Sequence, residues 1–122
     1  MAHIKNILGQ ARDNRYFRQV LATGKNVQVV IMSIPAGGEV GEETHADNDQ
    51  ALYLVDGAGQ AVLDGQAADY VTGDLVLVPA GTKHNFITKG EVPMKIITTY
   101  SPPHHPDGTV HKTKAEADAA GY

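Results

Sequence analysis

The chain has no cysteine, which excludes disulfide frameworks, thiolate metal sites and cysteine nucleophiles, and leads us to expect a reducing, cytoplasmic location. It has no apolar run of membrane-spanning length, and its opening decapeptide, MAHIKNILGQ, lacks the apolar stretch of a signal peptide. No internal repeat, low-complexity tract, glycine-rich phosphate loop or Ser/His/Asp arrangement is visible. Positive charge is scarce where it would matter for nucleic acid. The net charge is −4, and no lysine or arginine lies between Lys25 and Lys83, an interval that holds most of the fourteen acids. Neither nucleic acid nor a membrane is therefore expected as a partner, whereas a cation would be drawn to such a field.

What is present is a single domain of 122 residues. A chain of this size buries roughly two thirds of its unfolded surface, enough for a core without covalent staples. Helical periodicity is sparse. Residues 3–22 carry scattered apolar positions, which suit a short helix or an arm, and Arg12, Arg15 and Arg18 would share a face if helical. We therefore expect an N-terminal arm over residues 1–26. From Val27 onward short strand-like segments alternate with turn residues. They are predicted near 27–34, 50–55, 59–63, 69–71, 75–78, 84–87 and 94–100. Pairs such as Asp56-Gly57, Asp64-Gly65 and Gly73-Asp74 supply the turns. Many short strands with glycine-rich turns indicate an all-β barrel or sandwich over residues 27–100. Beyond it, three prolines between Pro102 and Pro106 forbid helix and interior strand, and Thr113-Lys114-Ala115-Glu116 is a capping-box pattern that predicts a short helix to Ala120. Residues 101–122 should pack on the same domain.

The chemistry is concentrated in two stretches. In residues 73–84, GDLVLVPAGTKH, a glycine turn opens an apolar strand, Pro79 ends it, Gly81 supplies a left-handed corner and His84 starts the next strand. This resembles the second signature of the cupin superfamily, G-x5-P-x-G-x2-H-x3-N, with Thr88 at the final asparagine. The first signature, G-x5-H-x-H-x(3 or 4)-E-x6-G, is matched in spacing by Gly37, Glu43, His45, Gln50 and Gly57, with Glu43 at the first histidine and Gln50 at the glutamate. The resemblance is to small single-domain cupins of the mannose-6-phosphate-isomerase-like type. It implies a double-stranded β-helix, a jelly-roll barrel, and a metal held by Glu43, His45, Gln50 and His84.

The residues support that reading on their own terms. Positions 43 and 45 project to one face of a strand, while Gln50 and His84 start two others. Two imidazoles with two oxygen donors suit one divalent transition metal, Mn, Fe, Ni or Zn. Asp49 rivals Gln50 under the shorter spacing, but Gln50 shares a face with Leu52 and Leu54. A His45-Ala46-Asp47 facial triad with a distal histidine is a second arrangement. His104 or His105 could fold over the barrel mouth as an acid–base group. The alternative, which we favour from sequence, leaves His104, His105 and His111 as exposed loop or dimer-contact residues. Tyr100 and Met32, with His104, are candidate pocket residues, although core packing also suits the first two.

The function expected is that of a metal-binding cupin acting on a small oxygen-rich molecule, a sugar or keto acid, with isomerase- or oxygenase-like chemistry. A non-catalytic small-molecule-binding cupin is the alternative. An exposed sheet edge favours a homodimer.

Overall fold

The structure, a computed structural model, describes residues 1–121. Two antiparallel sheets face one another. The larger has six strands in the order β10 (Val110–His111), β1 (Arg18–Thr23), β2 (Gln28–Ile34), β9 (Met94–Ser101), β4 (Asp49–Asp56) and β7 (Leu75–Val78). The smaller has four, in the order β3 (Glu43–Thr44), β8 (Lys83–Lys89), β5 (Ala58–Leu63) and β6 (Gln66–Val71). The spacing of apolar segments and turns led to an all-β barrel or sandwich, and the arrangement is the double-stranded β-helix that the resemblance implied.

Period-two patterning decides which side chains face inward. On β2, Val30, Met32 and Ile34 are buried on one face, and on β9 Met94, Ile96 and Tyr100 are likewise buried. Leu52 and Leu54 of β4 and Phe86 of β8 complete the space between the sheets. Tyr70 of β6 ties the layers together by donating its hydroxyl to the Leu52 carbonyl at 2.9 Å. Its phenol is pushed well above its ordinary pKa by burial, so it stays a hydrogen-bond donor.

The interior is divided along its length. Ile34, Leu54, Met94 and Phe86 form an apolar end. At the other end polar side chains replace them: Gln28 and Gln50 flank Tyr100 in adjacent strands, and His84 and Thr98 also face inward. The site lies at this polar end.

Three expectations need correction. Residues 3–22 hold both a helix, α1 (Ile7–Asp13), and strand β1, so Arg12, Arg15 and Arg18 share no helical face. Arg12 is exposed on α1, while Arg18 is on β1 and points into the barrel. Helix α1 closes the outer face of the larger sheet, where Ala11 packs with Ile31 and Val55. Strands β3 and β10, two residues each, carry too little pattern to be read from sequence. Third, His105 and His111 are buried, not exposed. The terminal helix does form, as α2 (Lys114–Ala120): Thr113 accepts from Glu116 N at 3.1 Å. Glu116 reaches one residue past the cap, accepting from Lys112 N at 3.0 Å. Among the described residues no helix is long and apolar enough to cross a membrane.

One glycine on β5 is required by a close approach. A Cβ on Gly59 would lie 2.2 Å from the Ile87 carbonyl oxygen and 2.6 Å from Met94 Sδ. Gly59→Ala must push β8 away from β5, and we expect it to destabilise the protein by about 3 kcal/mol, the upper end of overpacking costs. Urea denaturation measures this, and an unchanged midpoint would contradict the close packing.

Candidate metal centre

Backbone pairing assembles the site. Glu43 of β3 lies directly across from His84 of β8 in antiparallel register. His45 follows β3, and its carbonyl accepts from Gly81 N at 2.8 Å, which pins this segment to the turn before β8. Ligand atoms of Glu43, His45 and His84 all lie within 4.8 Å of one another. The His45 and His84 ring centroids are 5.1 Å apart.

Each side chain is held in a state suited to coordination. His84 Nδ1 is 2.9 Å from the Thr82 carbonyl. A carbonyl can only accept, so Nδ1 carries the proton and the Nε2 lone pair is left available. His45 Nε2 is 2.9 Å from Glu43 Oε2, yet the buried nitrogen has no hydrogen-bond partner. The two atoms are close but poorly aimed at each other, so the contact is a strained one. A divalent ion held by both would satisfy them. Gln50 is buried on the inner face of β4 and donates from Nε2 to Thr98 Oγ1 at 3.0 Å, leaving Oε1 buried and without a hydrogen-bond partner. The donor set of a carboxylate, two imidazoles and a carbonyl fits one divalent transition ion. The rival acids do not join it: Asp47 is exposed, and Asp49 is exposed with Oδ1 accepting from Ala80 N at 2.9 Å. Thr88, at the last position of the second signature, is buried and donates to the Ile34 carbonyl at 3.1 Å.

The electrostatics favour a charged Glu43. Burial alone pushes the Glu43 carboxyl up, but His45, Arg18 and His84 together pull it below its ordinary value. Burial also lowers the pKa of His84 and of His104. Tyr100, fully buried, has its phenol pushed up to about 12.

A cavity of about 440 Å³ opens beside the cluster, lined by Phe17, Arg18, Glu43, His45, His104 and Ala117 among others. His104 stacks over the site, with its ring centroid 4.4 Å from that of His45 and 5.4 Å from that of Tyr100. Met32 packs inside the core. Arg18 is the site residue that sequence reading missed. It is 2% exposed and its Nη2 is 4.0 Å from Glu43 Oε1. The one available signal was the inward parity of Arg18 with Val20, which the evenly spaced arginines obscured.

His105 adds a consequence for pH. Burial first, then the positive charge of Arg18, hold its imidazole down at about 3 against 6.5 for an ordinary histidine. In the unfolded chain it protonates near 6.5, while the folded protein refuses the proton until about 3. Stability is thus fully present above pH 6.5 and declines progressively as the pH falls toward 3, with His84 and His104 adding in the same direction. Urea midpoints between pH 7.5 and 4 should fall accordingly, and His105→Gln should flatten that slope.

Comparison with known proteins agrees with this geometry. The family profile described as a cupin domain matches residues 30–100. The uncharacterized protein YrkC of Bacillus subtilis is 41% identical over 124 residues, covering 96% of this chain, and the chain spans 66% of the length of YrkC. A crystal structure of the protein BH2720 from Bacillus halodurans is similar at a TM-score of 0.95 and 38% identity, with 98% of this chain and 95% of that one covered. Quercetin 2,3-dioxygenase of Bacillus subtilis is 29% identical over 65 residues, which are 53% of this chain and 19% of that protein. The match over residues 30–100 takes in the strands that carry both signatures, and on it the chain belongs to the cupin family.

Proposed function

We propose that the protein is a metal-dependent cupin acting on a small oxygen-rich molecule, a sugar or keto acid, by isomerase- or oxygenase-like chemistry. The observation that carries this reading is the convergence of Glu43, His45 and His84 ligand atoms within 4.8 Å beside an open cavity. Those three, with the Gln50 carbonyl, would hold the ion. When bound, a divalent ion supplies Lewis-acid polarisation of a carbonyl or enediol oxygen. In this reading His104 accepts a proton from a molecule in the cavity, and the burial that lowers its pKa favours the neutral ring this needs. Phe17 and Ala117 supply apolar wall to the cavity. The partial likeness to a quercetin dioxygenase supports the oxygenase side of the proposal.

Capture of a ligand without turnover is the second reading. It is favoured by Tyr100, whose phenol, at about 12, is no ready acid at neutral pH. The test is metal analysis of protein purified without chelator. Stoichiometric Mn, Fe, Ni or Zn, with a melting temperature that falls on chelation, is expected. Protein devoid of metal whose melting temperature ignores added ions would end the metal-dependent reading.

A further inference from the structure

We propose that Arg18 is the receptor for the carboxylate of a small organic acid, held so that a neighbouring oxygen of the same acid faces the cluster of Glu43, His45 and His84. This names the substrate class and rests on the metal-dependent reading above for that second contact and for the charge balance argued below.

Arg18 is a buried cation with donors to spare. A guanidinium carries five N–H groups in a rigid fork. Nη1 is 3.2 Å from His111 Nδ1. Nη2 is 4.0 Å from Glu43 Oε1, beyond hydrogen-bond reach. Nε is buried with no hydrogen-bond partner. The Tyr100 phenol is a further hydrogen-bonding neighbour of the group, and the guanidinium carbon lies 5.3 Å from the centroid of the Phe17 ring, so Nε is the donor left without a partner. A charge taken out of water with its donors unmet costs several kcal/mol. A planar, two-oxygen anion meets the fork bidentately and removes that cost.

Position and charge make the same case. Arg18 lines the cavity that also exposes Glu43 and His45. The remaining acid in that wall, Asp118, is taken up by Lys114 at 2.9 Å. Arg18 and Glu43 cancel one another, so a divalent ion would leave the pocket with an excess of two positive charges. An anionic ligand reduces that excess, and a neutral sugar does not. Of the two substrate classes in the proposed function, the acid is the one this wall selects.

The test is calorimetric binding to the full chain, in chelated and metal-loaded forms. The probes are pyruvate, lactate and 2-oxoglutarate, their methyl esters, and inorganic phosphate. We expect at least one acid to bind, and its ester to bind roughly 10- to 100-fold more weakly, the range for lost charge-assisted hydrogen bonds. Arg18→Gln should cause a similar loss for the acid while leaving the ester unchanged, and Arg18→Lys should fall between. The comparison of acid with ester in the unaltered protein needs no variant to fold. Metal binding with acids and esters held alike, or with none held, overturns the role of Arg18. Phosphate binding in place of the acids overturns the carboxylate assignment. Acids that bind the chelated form through Arg18, in a protein that takes up no metal, sustain this inference while ending the metal-dependent reading.

Discussion

Replacing His84 with alanine should weaken affinity for an added divalent ion by at least about 100-fold, more than the 10- to 100-fold attached to loss of an outer-shell partner. The reason is geometric. His84 stands across the strand pair from Glu43, its ring is fixed by the Thr82 carbonyl, and its free nitrogen is one of three ligand atoms gathered in the cluster. Without it Glu43 and His45 on one short segment and the weakly donating Gln50 carbonyl remain, a poor set to hold an ion against water. Glu43→Gln tests the complementary contribution: it keeps the shape and an oxygen donor while removing the negative charge, so affinity should fall while the melting temperature of the metal-free protein changes little. Competition against a chromophoric chelator reads both. Unaltered affinity in His84→Ala would locate any bound ion elsewhere in the protein.

Phe86→Ala should cost the fold about 3–5 kcal/mol, the range for an aromatic removed from a sealed core. Phe86 is 0% exposed, and its ring centroid lies 5.2 Å from that of Tyr70 and 6.2 Å from that of His84. It is the side chain of β8 next inward from His84 on the same face, so it forms the floor beneath the candidate centre. The sheets cannot close over the void, because Tyr70 bridges them by its hydrogen bond to Leu52. For a domain of this size the melting temperature should drop by roughly 12–20 °C, at about 4 °C per kcal/mol. Leu77→Ala is the control: at 62% exposure on β7 it should change stability by less than about 0.5 kcal/mol. Equal losses in the two variants would mean that the inner and outer faces of the barrel have been misassigned.

The parts of the site legible in the sequence are those governed by short-range geometry. Glu43 and His45 share a face because strand side chains alternate, and His84 follows a Pro79-to-Gly81 corner whose shape those residues dictate; Gly81 takes φ 84°. Gln50 was separable from Asp49 by parity alone, and Gln50 is indeed the buried one of the two. The histidines of the proline-rich loop were not legible in this way. Gln28 Oε1 accepts from the backbone N–H groups of His104 and His105 at 3.1 and 3.0 Å, drawing the loop across the barrel end from a residue 76 and 77 positions away. Nothing in the loop itself announces that anchor.

The sequence by itself determined the class of fold and the spacing of the histidine-bearing turns, since glycine and proline restrict φ locally and apolar alternation fixes which face is buried. Only the tertiary structure decided what surrounds those histidines. Arg18 and His111 meet across a separation of 93 residues, and His104 covers His45 from a segment that has no periodic pattern. Contacts of that range depend on how the strands are ordered in the two sheets, and strand order leaves no local trace in the residues that it brings together.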